Sequence, residues 1–318
     1  MDPYRGALFL ETFILVFKVL GLGDLCLYPA SFEYYAPASL DEAIDLLNKH
    51  GEEARVLAGG HSLIPMMKLR VLRPAYVIDL NRVKGLKYIE EKSGGIRIGA
   101  LTTYYDVITS DIVKRRVPIL AECASVVADP QVRNWGTIGG SLSHCDPSGD
   151  MGSSMLALRA KMVAKGPSGE RVIESDDWFV GSFQSALKTG EILREIVIPT
   201  PKPGSGGAYL KLERKAGDYA IAAVGVQITV DGSGTCTYAG IGLTAVGPTN
   251  LRAKKAEQAL VGRKVDERVI EEAARAASED CRPTDDPLRG SAEYKRAMVG
   301  VLTKRALNKA LADAKRNS

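Results

Sequence analysis

Leu57-Ala58-Gly59-Gly60-His61-Ser62 and Asn134-Trp135-Gly136-Thr137-Ile138-Gly139-Gly140-Ser141 decide the reading of this chain. In each, a glycine pair is followed closely by a hydroxyl residue. Glycine tolerates positive φ and lets backbone N–H groups come close to a ligand. A glycine pair with a trailing Ser or Thr can form a concave ring of donors that takes an anion. Two such nests suggest a ligand with more than one phosphate, a dinucleotide. Asp146-Pro147-Ser148-Gly149-Asp150 follows the second run and brings carboxylates of the kind that suit ribose hydroxyls. With 32 glycines in the chain, plain turns are the competing reading of either pair. The order of the features weighs against that reading. Neither run is a P-loop. Gly21-Leu22-Gly23 lacks the third glycine of a Rossmann fingerprint, so neither of those nucleotide folds is expected.

The chain has 318 residues, which suggests about two domains. Its 45% hydrophobic and 25% charged composition is that of an ordinary globular protein. A net charge of +4, with no basic stripe, gives no reason to expect nucleic acid. The five cysteines, Cys26, Cys123, Cys145, Cys236 and Cys281, show no cluster or zinc spacing and read as free thiols of a reducing cytoplasm. With three histidines, a histidine-rich metal centre is not expected, and redox chemistry would fall to an organic cofactor. Ala7 to Leu27 is apolar but broken by Glu11, Lys18 and Asp24, which argues against membrane insertion, and Asp2 beside Arg5 with no Ala-x-Ala site argues against a signal peptide. Residues 1–27 therefore read as an N-terminal extension. A start misassigned upstream of Leu27, a residue that TTG can encode, is the alternative.

Along the chain, Phe32 to Pro37 reads as a strand. Ser39-Leu40-Asp41-Glu42 is a capping box opening a helix to about Lys49. Strands are expected at Arg55–Ala58 and Ala75–Leu80, and a hairpin at Ile89–Ile98 turning at Ser93-Gly94-Gly95. Helices are expected at Tyr104–Ile108, Pro118–Ala128 and Ser153–Ala160, then strands at Lys161–Ala164 and Ile192–Ile198. Pro199 to Gly207 is the linker candidate. Beyond it, Ala208–Arg214, Ala220–Val230 and Thr235–Ala245 read as antiparallel strands. Helices at Arg252–Leu260, Asp266–Ser278 and Ala292 to the end complete an α+β unit.

Ala58-Gly59-Gly60-His61-Ser62 with Met66, Lys68 and Leu69, then Thr137-Ile138-Gly139-Gly140-Ser141 with Asp146 to Asp150, then Arg214-Lys215-Ala216-Gly217-Asp218-Tyr219-Ala220 form an ordered set. From about Tyr28 to the C-terminus, the chain resembles the FAD-binding medium subunit of the molybdenum hydroxylases. These include aerobic carbon monoxide dehydrogenase, xanthine dehydrogenase and archaeal aldehyde oxidoreductases. The resemblance implies an α+β, PCMH-type FAD-binding fold over residues 28–204, with subdomains of about 28–82 and 83–204. A smaller α+β domain of the CO dehydrogenase flavoprotein C-terminal type would span 205–318. It implies one FAD, with pyrophosphate held by Val56-Leu57-Ala58-Gly59-Gly60-His61-Ser62-Leu63 and by Thr137-Ile138-Gly139-Gly140-Ser141. Asp150 matches a carboxylate that contacts FAD, Ile192-Leu193 an adenine-side apolar contact, and Lys211 a lysine near the cofactor. Asp218 and Tyr219 fall beside the isoalloxazine. It further implies a small [2Fe–2S] iron–sulfur subunit and a large molybdopterin subunit as partners, in a dimer of heterotrimers.

Bland readings stand beside these. His61 has the sharper alternative of covalent attachment to the flavin, whereas the resemblance implies a non-covalent loop. His144 and Asp146 read as loop and turn residues, and Tyr219 as core or as a ring lid. Two functions compete: an electron-transfer subunit with no catalytic residue or metal of its own, and a stand-alone flavin oxidase or dehydrogenase. The second needs an acid/base pair, for which residues 208–318 offer no histidine. A scaffold with degenerate loops is the third, opposed by the intact glycines. Neither the organic substrate nor the electron acceptor is legible.

Overall fold

Ser39 ends the first strand's lead-out and caps the first helix, as its spacing from Glu42 requires. Its Oγ accepts the Glu42 N–H at 3.2 Å, and the Glu42 carboxylate accepts the Ala38 N–H at 2.8 Å. The computed structural model describes residues 28–92 and 94–317. The start-codon question and Ser93 of the expected hairpin turn lie outside the described residues. The N-terminal layer comprises β1 (Glu33–Tyr35), α1 (Leu40–His50), β2 (Ala54–Leu57), α2 (Leu63–Lys68) and β3 (Tyr76–Asp79). Its strands form a parallel sheet in the order β1-β3-β2, which Ala43 and Ile44 of α1 cover. The chain leaves the carboxyl end of β2 directly into the first glycine run. In open parallel sheets that end is where ligands bind.

The second layer has β4 (Ile89–Lys92) and β5 (Gly95–Gly99). A helical stretch follows: α3 (Tyr104–Thr109), α4 (Asp111–Arg116), α5 (Pro118–Ser125), α6 (Pro130–Trp135), α7 (Ile138–His144) and α8 (Asp150–Leu158). It closes with β6 (Lys161–Gly166), β7 (Gly169–Glu174), α9 (Ser175–Trp178), β8 (Phe179–Gly181), β9 (Gln184–Ser185) and β10 (Ile192–Ile198). The five-stranded sheet runs β4-β5-β10-β6-β7, with antiparallel neighbours.

The C-terminal part is an antiparallel meander of β11 (Ser205–Leu212), β12 (Ala222–Val230), β13 (Cys236–Thr244) and β14 (Leu251–Arg252), with α10 (Lys254–Leu260), α11 (Glu267–Asp280) and α12 (Ala292–Arg316). Every residue of β12 is buried, because the helices take one face of the sheet and α8 the other. Glycines make the second contact possible. A Cβ at Gly240 would run into the Ala157 carbonyl oxygen, and one at Gly242 into that of Ser153. All nine residues of α8 are buried in consequence. Arg159, just past α8, adds a polar tie by donating to Glu257 of α10 at 2.9 Å. Tyr209, Ala220 and Ala223 from the meander share one core with Ile138, Met151 and Leu193.

Several boundaries differ from the sequence expectation. The linker is shorter than Pro199–Gly207. Ser205-Gly206-Gly207 is buried strand, and a Cβ at Gly206 would run into the Ala310 carbonyl oxygen of α12. Leu251-Arg252 is a strand pairing with Gly242 and Leu243 rather than a helix start. The helix expected at Ser153 begins at Asp150. Helix α7 was not expected, because Gly139 and Gly140 disguise its first turn. Among the described residues no helix is long and apolar enough to cross a membrane.

Candidate cofactor site

The first glycine run is a loop of unsatisfied donors. Gly60 has φ +78°, and Ser62, preceding α2, makes no side-chain cap. The N–H of Ile64 reaches the Gly60 carbonyl at 2.9 Å, but those of Gly59, Gly60, His61, Ser62 and Leu63 find no acceptor among the described residues. Backbone donors are rarely left unpaired without a ligand or solvent to take them. Five in a row, on a partly exposed loop lining a cavity, can take an anion.

The second run corrects the expectation of two equal nests. Thr137 caps α7, with its Oγ1 accepting the Gly140 N–H at 3.0 Å and its carbonyl the Ser141 N–H at 3.1 Å. The Ile138 and Gly139 N–H groups reach the Thr102 and Ala100 carbonyls, each at 2.9 Å. These four amides are already engaged, so the glycines serve close approach. A Cβ at Gly139 would stand 2.5 Å from the Ala100 Cβ. The two runs also touch, since a Cβ at Gly59 would run into the Trp135 carbonyl oxygen.

Between them lies a cavity of about 690 Å³, within the range of small-molecule and cofactor sites. All the candidate residues line it except Leu57 and Ile138. Ile138 belongs wholly to the core, and Leu57 packs its side chain near Gly60. Ile192 and Leu193 join Leu80 and Leu101 as apolar wall.

Asp150, in the first turn of α8, meets Lys211 of β11 on another wall. Lys211 Nζ lies 3.0 Å from Asp150 Oδ2, and the Tyr209 hydroxyl donates to Oδ1 at 2.7 Å. Lys211 also donates to the Val126 carbonyl at 3.0 Å and lies 3.2 Å from Glu213. Burial raises the Asp150 pKa, and the opposing pull of Lys211 and Tyr209 only partly offsets it. Asp218 and Tyr219 line the cavity from the loop between β11 and β12. Arg214, 2.8 Å away, holds the Asp218 pKa below the usual carboxylate range. Burial raises the pKa of Tyr219, and Asp146 adds to this.

Sequence reasoning missed Tyr104, Phe183 and Glu191 as lining residues and gave His144 no site role. Phe183 tilts against the His144 ring at 5.1 Å, and burial lowers the His144 pKa. Nothing in their local sequence distinguishes these residues from ordinary helix and loop positions.

Fold and cavity together describe a protein with a cofactor-sized cavity, walled by the parallel sheet, the second α/β layer and the C-terminal meander and fronted by a loop of open backbone donors. Residues 30–201 match the FAD binding domain in molybdopterin dehydrogenase, and residues 207–310 the CO dehydrogenase flavoprotein C-terminal domain. The chain is 45% identical over 284 residues to the carbon monoxide dehydrogenase medium chain of Hydrogenophaga pseudoflava, covering 89% of this chain and 98% of that one. It is 38% identical over 284 residues to the glyceraldehyde dehydrogenase medium chain of Sulfolobus acidocaldarius, covering 88% and 98%. A solved carbon monoxide dehydrogenase from Hydrogenophaga pseudoflava superposes with a TM-score of 0.87 at 46% identity, covering 90% of this chain and 99% of that one. The chain belongs to the FAD-binding medium subunits of the molybdenum hydroxylases, a family of oxidoreductase components whose cofactor is FAD. The residues present fit that group, with a donor nest for phosphate, an apolar wall and a cavity of adequate size.

Proposed function

We propose that this chain is the electron-transfer subunit of a three-component molybdenum hydroxylase. Bound FAD would supply the redox centre, and through it the chain would pass electrons from [2Fe–2S] clusters on a small partner subunit to an external acceptor. A large molybdopterin subunit generates those electrons by oxidising the organic substrate. The assembly is a dimer of heterotrimers in the cytoplasm. What carries the reading is the match along 98% of a chain that is itself the medium component of a larger enzyme.

Within it, the amides of Gly59 to Leu63, which no described backbone group engages, would hold the pyrophosphate. Ala58 and Val56 flank that loop, and Gly139, Gly140, Thr137 and Ser141 close the opposite wall. Ile192 and Leu193 would exclude water beside the adenine. Asp150 and Lys211 would orient the cofactor through charge, and Asp218 with Tyr219 would border the isoalloxazine. No residue of the chain acts as an acid or base on an organic substrate. His61 offers no covalent link in this reading.

The test is purification with whatever copurifies, followed by acid precipitation. The expected result is yellow colour released into the supernatant and two further polypeptides, one cysteine-rich and one large. The isolated chain should be reduced by dithionite yet inert toward CO, purines and aldehydes. Steady turnover of any of these by the lone chain would overturn the subunit reading in favour of a stand-alone flavoenzyme. Colour remaining on the precipitate would convict His61.

A further inference from the structure

We propose that Arg289, contributed by the C-terminal domain, is a positioning residue that sets the Tyr219 loop at the mouth of the cofactor cavity. The loop from Arg214 to Tyr219 is exposed over Arg214 to Ala216 and again at Tyr219, yet its far end is held by polar contacts. The Tyr219 N–H donates to Asp218 Oδ1 at 2.8 Å, so the carboxylate of one residue fixes the backbone of the next. That carboxylate lies between two guanidinium groups. Arg214 comes from its own loop at 2.8 Å, and Arg289 from across the chain at 3.4 Å.

Arg289 also lies over the Tyr219 ring, its Cζ 5.9 Å from the ring centroid. Its Nε is buried without a hydrogen-bond acceptor among the described residues. A weakly hydrated planar guanidinium can lie over an aromatic face without an acceptor for every donor; an ammonium cannot do so as readily.

Arg289 is itself held in place. Asp286 Oδ1 accepts the N–H groups of Leu288 at 2.8 Å and Arg289 at 3.0 Å. Asp286 and Gly290 exchange backbone hydrogen bonds at 3.0 and 2.9 Å, closing the turn just before α12. A closed turn anchored to a 25-residue helix thus carries the cation to the cavity mouth. Gly217, with φ +83°, rests against the Ala128 backbone on the other side and leaves the loop little room to retreat. The domain that contributes no phosphate nest thereby controls the aromatic side chain at the opening.

The inference builds on the cofactor reading, and the experiment separates the two. Arg289→Gln, Tyr219→Ala and their combination are made in the full chain, with Asp218→Asn as a second way to loosen the loop. Amide hydrogen exchange at residues 214–219 is followed without FAD, and FAD release from the loaded complex by recovery of flavin fluorescence. Exchange at Asp218 and Tyr219 should quicken in Arg289→Gln while the rest of the chain keeps its protection. FAD release should quicken about five- to tenfold. In a Tyr219→Ala background, Arg289→Gln should add nothing to release. Unchanged exchange at 218–219, or an Arg289 effect on release that persists in full without the Tyr219 ring, would overturn the proposal. If Arg289→Gln does not fold, Arg289→Lys decides it: faster FAD release with the charge kept but the planar group lost supports the clamp, and unchanged release overturns it. Should wild type bind no FAD at all, the cofactor reading falls while the exchange data still judge Arg289.

Discussion

Gly59 and Gly139 look alike in the sequence and do different things in the fold. Both sit where a Cβ meets backbone, but only Gly59 also belongs to the row of unengaged amides. Alanine at either position should cost about 1–3 kcal/mol through overpacking. Gly59→Ala should in addition abolish FAD binding, whereas Gly139→Ala should retain it once stability is allowed for. Thermal melts beside flavin titration check this, and equal loss of affinity in both would refute the division. The Lys211–Asp150 pair makes a pH-dependent case. Removing Lys211 leaves a buried carboxylate uncompensated, so Lys211→Met should cost about 3–5 kcal/mol near pH 8. Burial already raises the folded pKa of Asp150, and losing the cation raises it further. A carboxyl whose folded pKa exceeds its unfolded value contributes stability below the unfolded value and loses it as pH rises through the folded one. The deficit of Lys211→Met should therefore shrink toward pH 4 and grow toward pH 8. Urea melts across that range measure it, and a deficit independent of pH would show that the charge is not its source.

Helix α8 ties the cavity to the C-terminal domain. Its first residue is Asp150, and its backbone lies on the glycines of β13. Gly242→Ala sits outside the cavity lining, yet its Cβ collides with the Ser153 carbonyl oxygen. The substitution should lower stability by about 1–3 kcal/mol and also reduce the flavin retained after gel filtration. Full flavin content in a destabilised Gly242→Ala protein would mean that the helix can shift without moving Asp150. Gly232 is the control, because a Cβ there meets nothing within 4 Å.

The cavity draws its walls from both ends of the chain. Lys211, Asp218 and Tyr219 lie beyond residue 204, so a fragment of residues 28–204 should not hold FAD even though it carries both glycine runs. Flavin binding by that fragment with the full chain's affinity would refute this. The thiols give a second global readout. Cys123, Cys145, Cys236 and Cys281 are all buried, and burial raises the pKa to about 12 at Cys145 and about 11 at Cys236. At pH 8 these four should resist a thiol reagent in the native protein and all react in denaturant. Rapid native labelling of any of them, located by mass spectrometry, would mean that its element opens readily.

Some of this architecture was legible in the order of residues because its causes are local. Ser39 and Glu42 stand three residues apart at the head of an amphipathic stretch and cap its helix, Ile192 to Ile198 runs as a strand ended by Pro199, and Gly59-Gly60 opens a turn that a larger residue would strain. The resemblance carried by the glycine runs and by Arg214 to Ala220 named many of the residues that line the cavity. It did not reveal which glycine run leaves its amides open, because hydrogen bonds to Ala100 and Thr102 are what occupy the second. Nor did it reveal that Gly240 and Gly242 admit a helix, that Lys211 answers Asp150, or that Arg289 reaches Tyr219. Each is a pairing between segments far apart in the chain, and close approach or burial becomes a property of a residue only when its neighbour in space is known.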